Sequence, residues 1–268
     1  TFNLGIGNIG SVNVGDGTIK LATAATVSVV NAAPKVHPTL INYPLAVPGL
    51  WYTITGTNSC ASAHRWLRDR FFAHSGGAGR SAFDVMDDLA AAAPPGALGL
   101  LFHPYLQGER APHWDPLLRA DFIGMTFRHE PRHFVRALYE GIAFSLRDIL
   151  EQFKAQGMTM SAARIAGGGA RSACWREIVA DVMGVEVLLP EVTDASFGAA
   201  LLAGVGVGVY ADERAAARAC TRIVGRAAPD PQRRALYDEL FGLYRQSQAA
   251  LAPINHALSR LTAPGVSA

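Results

Sequence analysis

Apolar and polar positions recur with two different periods along this chain. Residues 18–30, TIKLATAATVSVV, carry β-branched side chains at both ends and small ones in the centre. That pattern predicts a strand pair folded about residues 22–25, or one long strand with a tight bend. Residues 31–38 and 43–49 hold paired prolines and read as loops, and residues 51–57 alternate as a strand. Asn58 or Ser59 is placed to cap a helix over 61–72, with Trp66, Leu67 and Phe71 apolar. Three glycines in 74–80 break it. Ser81 caps a helix over 82–92, which Pro94, Pro95 and Gly96 stop, and residues 98–102 form a short apolar run read as a buried strand.

The second half is more regular. Pro131 opens a helix in which Phe134, Leu138, Ile142 and Leu146 recur at helical spacing to about Phe153. Residues 163–166 read as a strand, Gly167, Gly168 and Gly169 as a turn, and 175–183 as a helix capped by Ser172 and ended by Gly184. Residues 185–189 read as another strand and 195–209 as a helix of small residues, expected to be buried. Asp230 or Pro231 opens a last helix with Leu236, Leu240 and Leu243 apolar, followed by a loose tail from about His256. A strand pair followed by alternating helices and single strands predicts an α/β domain over residues 1–255.

Composition narrows the function classes. The 268 residues are 50% hydrophobic and 17% charged with a formal net charge of +2, so neither a disordered chain nor a basic nucleic-acid-binding surface is expected. No apolar run is long enough for a membrane span. Cys60, Cys174 and Cys220 form no CxxC pair, and three cysteines suit the reducing cytoplasm. Thr1 is not a start methionine and residues 4–7 read like the middle of a fold, which predicts a piece of a longer chain or an ordinary mature domain left after processing.

Four segments are candidates for chemistry. Residues 165–172, IAGGGARS, run a strand through three glycines into a helix start, where free N–H groups and a bare backbone accept an anionic ligand. The segment is neither a P-loop nor a dinucleotide fingerprint. Residues 196–200, SFGAA, open a helix that can lie close to a flat ligand or another backbone. The turn at 22–26 carries the hydroxyls of Thr23 and Thr26. Residues 108–116, GERAPHWDP, crowd Glu109, Arg110, His113, Trp114 and Asp115 together. Glu109 and Asp115 there read as acid/base groups or, with Arg110 in a salt bridge, as architecture. No HExxH, structural-zinc spacing or GxSxG is present.

These segments, in this order, resemble the C-terminal domain of the FGGY family of carbohydrate kinases, most like its xylulokinases. Residues 167–184, GGGARSACWREIVADVMG, carry the most specific match. The 108–116 block with Gly124, the helix around Glu140 and Gly141, and residues 191–203 ending beyond GAA add to it. The resemblance implies a ribonuclease-H-like, actin-like ATPase domain forming one wall of a cleft. The other wall, with the sugar contacts and a catalytic aspartate before Gly5, lies outside this chain. It implies ATP and Mg2+, transfer of the γ-phosphate to a sugar hydroxyl, D-xylulose being nearest, and no activity from this chain alone. It leaves open a homodimer and a non-catalytic actin-like nucleotide-binding domain.

Carried over by position, Gly168, Gly169, Ala170 and Ser172 would line the nucleotide, and Phe197, Gly198 and Ala199 would sit near adenine. Gly169 is expected to face the nucleotide's approach, and Trp175 to pack the helix. Thr23 and Thr26 would stand at the family's phosphate hairpin, usually GTSG. Here Ala22, Ala24 and Ala25 replace its glycines and serine. Alanine in a left-handed conformation would cost about 1 kcal/mol or more, so weaker phosphate binding is expected.

Overall fold

A computed structural model describes residues 10–77 and 79–261; residues 4–7 lie outside them. A seven-stranded sheet in the order β3-β4-β2-β1-β7-β8-β9 forms the framework. The hairpin read from residues 18–30 is present: β1 (Asp16–Leu21) pairs antiparallel with β2 (Ala25–Asn31), which pairs with β4 (Trp51–Gly56). β3 (Ile41–Pro44), which the proline-rich sequence hid inside a loop, is a half-exposed edge strand. An edge is where a strand tolerates proline. On the other side of β1, β7 (Ala162–Ala166) and β8 (Glu186–Pro190) add in parallel and β9 (Ile223–Ala227) closes antiparallel. A separate ribbon pairs β5 (Leu101–His103) with β6 (Asp121–Ile123). The expected strand at 98–102 starts late because Leu98 sits at φ 57 in a 3-10 turn, between left-handed Gly96 and Gly99.

Seven helices surround these sheets among the described residues: α1 (Ala61–Phe71), α2 (Ala82–Ala92), α3 (Pro131–Ala155), α4 (Ala173–Met183), α5 (Ala195–Gly206), α6 (Glu213–Cys220) and α7 (Pro231–Leu261). Every residue of α3 from 135 to 150 is buried. Its polar side chains are therefore paired: Arg136 Nε donates to Glu140 at 2.6 Å, and Tyr237 of α7 donates to the same carboxylate at 2.7 Å. Gly141 is required where α3 crosses β5, since a Cβ there would stand 2.1 Å from the Phe102 carbonyl oxygen. Trp175 of α4 is fully buried and stacks on Tyr139 of α3 with ring centres 4.4 Å apart, the packing role expected for it.

Three helix expectations need correction. Ser81 does cap α2, but neither Asn58 nor Ser59 caps α1. The N–H groups of Cys60, Ala61 and Ser62 donate instead to the carbonyls of Thr23, Ala22 and Thr23, so the hairpin turn itself caps the helix. α5 is not buried; only Gly198 is, because the helix lies on the surface against α6. α7 buries Tyr237, Leu240, Phe241 and Tyr244, leaving Leu236 and Leu243 exposed. It also runs through His256 to Leu261 rather than loosening: His256 bonds Asp115 at 2.5 Å and Ser259 donates to the Leu117 carbonyl at 2.7 Å.

Candidate functional site

Two of the segments singled out in the sequence, the glycine turn and the entry of α5, come together beside the carboxyl end of β1, where parallel sheets commonly place ligands; the hairpin turn follows directly on that strand end. A cavity of about 680 Å³ opens there, lined by Lys20, Gly167, Thr193, Asp194, Ala195, Ser196 and Ala199. β1 supplies Lys20, the glycine turn follows β7, and the rest belong to the entry of α5. Asp194 caps α5, its carboxylate accepting from Ser196 N at 2.8 Å. That contact and the Ser196 hydroxyl hold the Asp194 carboxyl below its ordinary range.

Within the glycine turn the three glycines have different tasks. Gly167 adopts φ +91, and a Cβ on it would lie 2.3 Å from the Leu21 carbonyl oxygen. It lets the chain pass the end of β1. Gly168 is exposed, with nothing within 4 Å of where its Cβ would be. Gly169 faces inward: a Cβ would meet Leu21 Cβ and Trp175 Cζ3 at 2.9 Å. This corrects the expectation that it faces a ligand. Ala170 is buried, and the Ser172 hydroxyl accepts from Trp175 N at 3.0 Å to cap α4. Of the α5 residues, Phe197 is half-buried, Gly198 buried and Ala199 exposed on the cavity.

The hairpin turn is relaxed. Ala22, Ala24 and Ala25 are absent from the left-handed conformations, so the anticipated strain does not arise. Ala22 N donates to the Ala24 carbonyl at 3.2 Å, and Ala25 is fully buried. Thr23 is exposed and its hydroxyl accepts from Arg65 of α1 at 3.2 Å. Thr26 is half-buried between its register partners Lys20 and Gly56. Sequence reading passed over Lys20 and Arg65. The signal for Lys20 was a lone cation one residue from the end of an otherwise uncharged strand tip.

The GERAPHWDP loop braces this turn. Arg110 Nε donates to the Gly56 carbonyl at 2.9 Å rather than forming a salt bridge. Glu109 is buried, and one carboxylate oxygen accepts from Asn58 N at 2.7 Å and Arg110 N at 2.6 Å. Its other oxygen has no partner among the described residues. Burial pushes the carboxyl up to about 7 against the opposing pull of those N–H groups. Asp115, paired with His256, anchors α7 to the loop. Both carboxylates are thus engaged in architecture. Among the described residues no cluster of three metal-ligating side chains occurs, and no helix is long and apolar enough to cross a membrane.

Residues 17–207 match the model of the FGGY family of carbohydrate kinases, C-terminal domain. The chain is 33% identical over 200 residues to the xylulose kinase of Staphylococcus epidermidis, covering 74% of this chain and 39% of that one. It is 31% identical over 216 residues to the gluconokinase of Bacillus subtilis, covering 78% and 40%. The crystal structure of xylulose kinase from Rhodospirillum rubrum superposes with a TM-score of 0.84 at 29% identity, over 95% of this chain and 50% of that one. The chain thus spans half or less of the length of these relatives. With a family match across most of the chain and a mixed α/β, actin-like ATPase fold around the cavity, this chain belongs to the FGGY family of carbohydrate kinases, as its C-terminal domain.

Proposed function

We propose that this chain is the ATP-binding half of a sugar kinase that transfers the γ-phosphate of Mg-ATP to a sugar hydroxyl, with D-xylulose as the favoured acceptor. The observation that carries the reading is the convergence of Lys20, Gly167 and the first turn of α5 on one cavity, with the exposed Gly168 next along the chain from Gly167. Exposed backbone at Gly168 admits a phosphate chain, and Ala199 offers a small surface to a base. Thr23 and Thr26 stand at the phosphate end. Gly169, Ala170 and Ser172 act by shaping the turn, and Phe197 and Gly198 by setting α5. Magnesium enters as part of the nucleotide, held by phosphates and water. The sugar-bearing wall, with the base that accepts the hydroxyl proton, comes from outside this chain. Alignment of donor and acceptor across a closed cleft supplies much of the rate.

The xylulose kinases among the relatives support the pentulose, while the gluconokinase keeps the acceptor within the wider class of sugars and their acids. A reducing cytoplasmic setting accords with the cysteines. A coupled ADP-release assay on the chain joined to its sugar-binding half, run with D-xylulose, D-ribulose, gluconate and glycerol, tests the proposal. Sugar-dependent turnover, greatest with D-xylulose and absent from residues 1–268 alone, is expected. A joined protein that binds ATP yet leaves every acceptor untouched would favour the non-catalytic nucleotide-binding domain.

A further inference from the structure

Charge is arranged across the sheet beside the hairpin in a way that the family resemblance does not account for. Lys20, Thr26 and Gly56 are register partners on β1, β2 and β4. Directly opposed residues of antiparallel strands share a face, so the three stand in one row, each about 5 Å from the next. Gly56 leaves a gap in that row and Arg110 fills it. A Cβ on Gly56 would lie 3.0 Å from Arg110 Nη2 and 2.9 Å from Thr26 Cγ2. The guanidinium is fixed by its Nε bond to the Gly56 carbonyl, which leaves the terminal nitrogens beside Thr26.

Neither cation is neutralised by an ion pair among the described residues. Two carboxylates feel their charge, Asp194 that of Lys20 and Glu109 that of Arg110, and one oxygen of each is engaged by other donors. Asp194 takes Ser196 N and Oγ, and Glu109 takes the N–H groups of Asn58 and Arg110. Lys20 lines the same cavity as Gly167 and Ala199. The turn between the cations has alanine at 24, so it lacks a second hydroxyl beside that of Thr23.

We propose that Lys20 and Arg110 form an anion clamp across Thr26 that holds the linked phosphates of a polyphosphate nucleotide, replacing the donors that the alanine turn lacks. The proposal rests on the reading of the adjoining cavity as the nucleotide site. Two cations on either side of Thr26, from strand positions whose backbones stand about 10 Å apart, suit a chain of linked phosphates better than a single small anion. The clamp reads charge, so it discriminates by phosphate number and not by the base.

Calorimetric titration of the protein with AMP, a non-hydrolysable ATP analogue and inorganic tripolyphosphate, at low and high salt, tests the clamp. The variants are Lys20→Gln, Arg110→Gln and Arg110→Lys, each with its melting curve. The ATP analogue should bind roughly tenfold or more weakly to Lys20→Gln and Arg110→Gln, while AMP changes less than about twofold and Arg110→Lys recovers part of the loss. Tripolyphosphate should bind the wild type, more weakly at high salt, and not a variant carrying both Lys20→Gln and Arg110→Gln. Equal losses for AMP and the analogue, or no loss for either, would overturn the clamp. Should Arg110→Gln melt early, Lys20→Gln decides alone, since Lys20 is exposed. Tripolyphosphate binding that depends on both cations without any nucleotide binding would retain the clamp and refute the nucleotide reading. Binding of neither refutes both.

Discussion

Two turns follow the neighbouring parallel strands β1 and β7, and they are built on opposite terms. The turn after β7 depends on glycine for steric reasons: at Gly167 the chain is left-handed, and the Leu21 carbonyl oxygen occupies the space a Cβ would need. The hairpin between β1 and β2 manages with alanines at 22, 24 and 25, because its backbone stays out of the left-handed region. It is held by its own Ala22–Ala24 bond and by the α1 N–H groups that its carbonyls cap. A glycine in such a turn can thus answer a packing constraint or leave open space, and the three glycines 167–169 divide between the two.

Substitutions can break this contrast, and Gly167→Val should have the largest effect. A side chain there meets backbone at 2.3 Å in a conformation closed to branched residues. A loss of about 3 kcal/mol or more in chemical denaturation is expected. An outcome as mild as a surface substitution would remove the steric half of the contrast.

Glu109 sharpens the other half, because it secures the strand end beneath the hairpin. Its carboxyl is raised to about 7 in the folded protein against an ordinary value near 4.5. A raised folded value means the native state holds the proton more tightly. This contribution to stability is therefore full below about pH 4.5 and is lost as pH rises through 7. The loss is on the order of 3 kcal/mol when complete. Glu109→Gln should flatten the stability–pH curve between 4.5 and 7, as followed by urea midpoints; an unchanged slope would contradict the burial argument.

Gly169→Ala should cost about 1–3 kcal/mol through crowding of Leu21 and Trp175. Nucleotide affinity should change little in the molecules that remain folded. The smallest effect belongs to the hairpin. Ala22→Gly should destabilise by less than about 1 kcal/mol, through backbone entropy alone, and a clear stabilisation would show that the alanine turn is strained after all.

Much of this arrangement was legible in the chain itself. The hairpin, α2, α3 and α4 follow from periodicity and from end signals such as Ser81, Pro131 and Gly184, all local. What escaped was set by tertiary contact. The cap of α1 is a pair of carbonyls contributed from about forty residues earlier in the chain, so Asn58 and Ser59 misdirect. α5 is apolar in sequence yet lies on the surface against α6. α6 and β9 lack long apolar runs. In the site, the glycine turn and the entry of α5 were legible as motifs. The inward aim of Gly169, and the row from Lys20 to Arg110, depend on strand register and on a loop more than fifty residues away from the strand it braces.

In the proposed function a nucleotide lies over the glycine turn at Gly168. Gly168→Val tests it most directly, because that position alone in the turn has open space and no left-handed backbone. The variant should melt as the wild type does, within about 0.5 kcal/mol, while calorimetry with Mg-ADP shows affinity reduced tenfold or more, from a wild-type value in the roughly micromolar to millimolar range. Unchanged ADP binding by a folded Gly168→Val protein would place the nucleotide elsewhere and contradict the account.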